Sequence, residues 1–131
     1  MKEYCTDLEI AKELEKNKFP YKSSFEYQVT QFTGDGEYVD IVYNGNGIIT
    51  PTSDCTYTVY AQTSDEILKE LPPIFGPYQL TIAKCFIYYQ VSYKDDNDGE
   101  IMNDSALFDD KKLSNALAKL WLYLKKEGYI K

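Results

Sequence analysis

Apolar residues recur at helical spacing at both ends of this chain and alternate with polar ones in between. Leu8, Ala11 and Leu14, with Ile10 beside them, form one stripe within Thr6–Lys18, opposite Glu and Lys. That spacing predicts an amphipathic opening helix. Thr6-Asp7-Leu8-Glu9 has the form of a capping box. Phe19-Pro20 ends the helix, because a residue before proline avoids the helical region. Strands follow. Phe25, Tyr27 and Val29 alternate with Glu26, Gln28 and Thr30, so one face is apolar and the other polar. Thr33–Gly36 is a tight-turn signal, and Tyr38–Tyr43 returns with Val39, Ile41 and Tyr43 on one side, which predicts a hairpin. Asn44–Gly47 is a second turn. Ile48–Pro51 is short and ends in proline, which places it at an edge or in a loop. Tyr57–Ala61 alternates again through Tyr57, Val59 and Ala61.

Thr63-Ser64-Asp65-Glu66 is a second capping box, opening a short helix through Ile67, Leu68 and Leu71 that Pro72-Pro73 stops. Tyr78–Lys84 and Phe86–Tyr93 predict a second hairpin. Leu80 and Ile82 fit the inner face of its first strand, and Ile87, Tyr89, Val91 and Tyr93 that of its second. From Asp110 to Glu127, Leu113, Ala116, Leu117, Leu120 and Leu124 recur at helical spacing. Asp109 and Asp110 suit the positive N-terminus of that helix, and Gly128 suits the position past its C-terminus, with Tyr129 and Ile130 folding back. The expected class is α+β. One antiparallel sheet of four to five strands from two hairpins packs against three helices, in the order α-β-β-(β)-α-β-β-α, within a single domain over residues 1–131.

Composition narrows the chemistry. There is no histidine and no arginine; all 14 cationic side chains are lysine. The usual neutral-pH acid/base and metal ligand is therefore missing, and so is the bidentate reader of phosphate. Net charge is −7, and Asp95, Asp96, Asp98, Glu100, Asp104, Asp109 and Asp110 account for all of it, since no lysine lies among them. An acidic chain without a basic patch is a poor nucleic-acid binder and a poor partner for an anionic membrane. Cys5, Cys55 and Cys85 are far apart and odd in number, which points to free thiols in a reducing cytoplasm rather than a disulfide framework or a zinc site. Neither a signal peptide nor a membrane-length apolar run is seen.

Candidate catalytic motifs fail one by one. Aligning Gly99 with the EF-hand glycine puts Asp96 and Asp98 at ligand positions, but Lys94 and Ser105 at the two ends where acids are needed. A looser calcium site from Asp95, Asp96, Asp98 and Glu100 is the residual metal candidate. No cysteine has a histidine base. The glycine pairs Gly34/Gly36 and Gly45/Gly47 lack the third glycine and the helix of a phosphate loop. Lys84 beside Cys85 is the one Schiff-base candidate. No cofactor is expected.

What remains is surface. Tyr60, Phe86 and Tyr88 fall opposite the core faces of their strands and form a candidate aromatic patch, with Asp95, Asp96, Asp98, Glu100 and Asp104 following in sequence. Aromatic anchors with concentrated charge suit protein recognition, the rings for affinity and the charge for steering.

Two stretches carry a family resemblance: Asp7–Pro20, and Ser64–Pro72 followed by Tyr78–Ile82, Tyr89–Tyr93 and Leu113–Tyr129. Their order resembles a family of small uncharacterised phage and prophage proteins of gut bacteria. These share a helix ending near Phe-Pro, a short helix ending in Leu-Pro, a hairpin, and a closing helix like Ala116-Leu117-Ala118-Lys119-Leu120-Trp121-Leu122-Tyr123-Leu124. The resemblance implies a mobile-element setting and an accessory role, with no catalytic residues to carry over. The function expected first is therefore a non-catalytic accessory protein that binds another protein, a basic one if the acidic segment makes the contact, and inhibits a host factor or defence system. Its rivals are an immunity protein or antitoxin, a metal- or carboxylate-dependent enzyme, and a structural component of a virion.

Overall fold

The computed structural model describes residues 2–31, 36–43, 55–95, 97, 99–102 and 106–131. The expected turn at 33–36 (Gly36 apart), the turn at 44–47 and the edge or loop at Ile48–Pro51 lie outside the described residues. A 3-10 turn at Lys2–Tyr4 precedes helix α1 (Leu8–Lys16). Strands β1 (Phe25–Gln31), β2 (Glu37–Tyr43) and β3 (Tyr57–Tyr60) follow, then the short helix α2 (Ser64–Leu68). Strands β4 (Ile74–Phe75), β5 (Tyr78–Cys85), β6 (Tyr88–Asp95) and β7 (Phe108–Asp110) lead to the long helix α3 (Leu113–Lys126). Among the described residues, no helix is long and apolar enough to cross a membrane.

Among the described residues, the class is α+β with antiparallel strands and three α-helices, and both expected hairpins are present. The described strands form two sheets, however, where one was expected. A three-stranded sheet has the order β2-β1-β3, and a four-stranded sheet the order β4-β5-β6-β7. The reason lies in what alternation encodes. A period of two says which face of a strand is buried, not which strand lies beside it. The strands β4 and β7 have two and three residues, too few to show any period.

Each sheet has its own core. Tyr27 and Val29 of β1 pack with Val59, Ala61, Cys5 and Ala11. Val91 and Tyr93 of β6 pack with Leu117, Leu120, Trp121 and Leu124 of α3 and with Ile67 and Leu71. Fully burying each such leucine or isoleucine contributes about 1.5–3 kcal/mol. Helix α1 serves both cores, because Ala11 turns to the first and Leu14 to the second.

The helix ends show where local signals hold. Thr63 caps α2 as expected, with its hydroxyl accepting from the Glu66 N–H at 3.3 Å and the Glu66 carboxylate accepting from the Thr63 N–H at 2.8 Å. The box expected at Thr6 does not form. Thr6 is drawn into an extended segment, its N–H donating to the Gln62 carbonyl at 2.9 Å, and Asp7 becomes the N-cap. The Asp7 carboxylate is taken by Asn115 and Lys112 instead. Helix α3 closes as expected. Gly128 has φ +80, the Tyr129 N–H reaches the Leu124 carbonyl, and the Gly128 N–H reaches that of Lys125, which is a Schellman motif. Helix α1 ends in the same motif, but with Lys18 at φ 62 in the left-handed position.

One buried carboxylate joins the two halves. Glu66 Oε1 accepts from the Ser23 hydroxyl at 2.7 Å as well as from Thr63, and Oε2 accepts from the Ser24 N–H at 3.3 Å. Its neighbour Ile67 is fully buried in the other core. Replacing Glu66 with Ala strands these donors and should cost about 2–4 kcal/mol; a shift of the urea midpoint worth less than about 1 kcal/mol would show that the network is not structural. Lys18→Gly relieves a left-handed lysine and should add about 1 kcal/mol, a Tm rise of about 3–5 °C by calorimetry.

Candidate functional site

The β5–β6 hairpin turns in two residues, Phe86 and Ile87, between the paired Cys85 and Tyr88. Such a turn needs a left-handed backbone, and a glycine or asparagine ordinarily supplies it. Here Phe86 has φ 53. A bulky residue in that region is an outlier costing on the order of 1–3 kcal/mol. Nothing packs against the ring in return, since Phe86 is 95% exposed, Ile87 60% and Tyr88 45%. Strand β7 reaches along β6 only to Tyr89, and β4 covers only the far end of β5. Tyr88 and the two-residue turn therefore lie just beyond the flanking strands, and this end carries three large apolar side chains. Large apolar groups held together in water mark an interaction site.

The expected aromatic patch is only partly assembled. Phe86 and Tyr88 share this tip. Tyr60 does not; it lies half-buried in β3 of the other sheet, opposite Glu26 of β1. Burial raises the Tyr60 phenol, and Glu26 and Glu15 raise it further. Asp95 is also elsewhere. Asp95 ends β6 while Tyr88 begins it, so at about 3.3 Å per residue they lie roughly 23 Å apart. Asp95 thus stands at the far end of the hairpin from the rings, whereas Asp109 and Asp110 pair with Gln90 and Tyr89 close to the tip.

Within the acidic segment, side chains serve local structure. Asp95 Oδ1 accepts from the Asn97 N–H at 2.8 Å, and the Asp95 carbonyl accepts from the Gly99 N–H at 2.9 Å. Glu100 is exposed, and its carbonyl accepts from the Asp95 N–H at 2.7 Å. Asp96, Asp98 and Asp104 lie outside the described residues. Asp110 anchors the start of α3, accepting from the Lys112 N–H at 2.9 Å, from Lys119 at 2.9 Å and from Asn115 at 3.3 Å. Burial opposes its charge, but these donors outweigh it and hold the carboxyl below its ordinary value. Asn115 in turn donates to Asp7 at 2.9 Å, which ties the start of α1 to the start of α3. Among the described residues, no group of three or more Cys, Asp and Glu is arranged to hold a metal.

The remaining candidates separate by environment. Cys5 is fully buried and its thiol is pushed up to about 11, by burial first and then by Glu66, so it is a poor nucleophile. Cys85 is exposed beside the tip. Lys84 stands over the Tyr89 ring, 5.5 Å from its centroid, and is itself exposed, far from the apolar burial that activates a lysine. A cleft of about 760 Å³ opens where the two sheets meet, with Tyr4, Phe25, Ser64, Tyr89 and Lys111 among its walls. Its Thr63 hydroxyl and Lys112 ammonium are already engaged by Glu66 and Asp7, and Glu3 and Asp65 offset its lysines.

One group escaped the sequence pattern altogether. Glu26, on the polar face of β1, is only 1% exposed. Its Oε1 accepts from Gln28 at 3.3 Å, while Oε2 has no hydrogen-bond partner. Burial raises its pKa, and the Gln28 bond only partly offsets that. Alternation assigned Glu26 to solvent, and no local signal marks the difference. Comparison with protein families, curated proteins and solved structures finds no match to this chain.

The raised carboxyl of Glu26 fixes the sign of a pH effect. Its folded pKa lies above the ordinary 4.5, so the protonated form is favoured on folding and stability falls as pH rises through that range. Glu26→Gln should therefore raise Tm at neutral pH, and the gain should vanish below about pH 4. Equal Tm changes at both ends of a pH series followed by circular dichroism would contradict this.

Proposed function

We propose that this chain is a non-catalytic accessory protein that works by binding another protein through the β5–β6 hairpin tip. The observation that carries it is Phe86, bare to solvent on a left-handed backbone. A side chain that strains the fold and gains no packing contributes nothing to stability, so its use lies outside the chain. A flat polar turn would have been more stable and more soluble. The geometry favours an apolar anchor entering a pocket on the partner, the arrangement typical of binding hot spots. Asp95 and Glu100, at the other end of the hairpin, would then act on approach rather than in the contact. A phage or prophage setting, with a host factor as target, is the context that the sequence resemblance implies.

Phe86→Gly separates fold from function. It should raise Tm by relieving the turn, and it should weaken partner capture at least tenfold in quantitative affinity enrichment from a host lysate. Tyr38→Ser, which removes an exposed ring from the other sheet, should leave capture unchanged. If Phe86→Gly gains stability and retains the same captured species, the tip is not the binding site.

A further inference from the structure

Strand β5 is only partly covered on the side away from β6. Strand β4 pairs with it at Tyr78 and Gln79 alone, and the Leu80 N–H donates to the Pro73 carbonyl at 3.0 Å. Beyond Leu80, no described strand lies on that side. In an antiparallel strand, alternate residues direct their N–H and C=O groups to the same side. Leu80 faces outward, so Ile82 and Lys84 do too. Among the described residues nothing pairs with their four backbone groups, which form an open edge leading directly to the tip. Ile82 is 42% exposed, because α3 lies over β6 and β7 rather than over β5. Open edges of this kind are templates for another strand.

We infer that this edge accepts an extended segment of the partner protein, antiparallel to β5, with an acidic residue opposite Lys84 and an apolar residue opposite Ile82. This rests on the reading of the hairpin as a protein-binding element and names the conformation of its ligand. Three features choose the occupant. The unpaired groups demand a strand, since a helix has no backbone bonds to give. Lys84 and Ile82 share one face of the strand, so the two complementary side chains are two residues apart, the acid first. A second copy fits poorly. Pairing β5 with itself about Lys84 sets two lysines opposite each other. Pairing it about Ala83 drives Phe86 of one copy into the place that Pro73 holds beside Leu80 of the other.

The test uses the whole chain and a random peptide library displayed on yeast. Enriched peptides should carry an acid and, two residues on, an apolar side chain. On binding, the Ile82 and Lys84 amides should become protected in hydrogen exchange followed by NMR. Lys84→Pro deletes one outward N–H, a change an edge strand tolerates, and should weaken the selected peptide about tenfold. Phe86→Gly should weaken it less. Circular dichroism would show that both variants fold. A peptide lost in Phe86→Gly but unaffected in Lys84→Pro would overturn strand addition and leave the tip as the binding site. So would the absence of amide protection, or a library that yields no such peptide. A dimer in sedimentation that Lys84→Pro dissociates would overturn the choice of occupant.

Discussion

The carboxylate of Glu66 holds the two halves of this protein together. It is buried, and it accepts from Thr63, Ser23 and Ser24. Those donors belong to the start of α2 and to the segment entering β1, so one side chain fixes a helix on the end of the three-stranded sheet. The next residue, Ile67, is committed to the other core. A second polar tie, Asp7–Asn115–Asp110, joins the starts of α1 and α3. Buried polar groups are costly unless satisfied, and satisfied ones specify geometry that apolar packing alone leaves loose. Two modest cores are joined into one arrangement by buried Glu66, and tied again by buried Asn115 between Asp7 and Asp110.

That rigidity gives the hairpin tip its meaning. Strands β5 and β6 are supported where β4, β7 and α3 meet them, and they run free beyond. Phe86 stands at the unsupported end in a conformation that glycine would hold more easily. The open edge of β5 continues from the tip, so an apolar anchor and a strand template occupy one side of one element. Neither requires histidine, arginine or a bound ion, which suits a chain that has no histidine and no arginine.

Much of the secondary structure was legible in the residues, and the errors have physical causes. The stripe from Leu113 to Leu124 marks α3, and Gly128 its end, because helix periodicity and the left-handed cap are local properties. The Thr63 box formed because its partner Glu66 lies within the same turn. The similar sequence at Thr6 did not cap, because Gln62 competes for its backbone and Asn115 and Lys112 compete for Asp7. Of the candidate site, Phe86 and Tyr88 were found from their strand faces, but the exposure of Phe86 comes from the turn and not from a face. Tyr60 was grouped with them only because all three fell opposite the core faces of their strands; it belongs to another sheet.

By itself, the sequence determined the helices, the two hairpins and the poverty of catalytic groups. Each follows from side-chain periodicity or composition, which neighbours a few residues away are enough to establish. Tertiary structure alone decided that the described strands form two sheets, that Glu26 is buried, and that Asp95 stands at the opposite end of the hairpin from the aromatic tip while Asp110 stands near it. Those outcomes depend on which strand edges pair and what covers each face, and strand pairing is a choice among distant partners that no local pattern encodes.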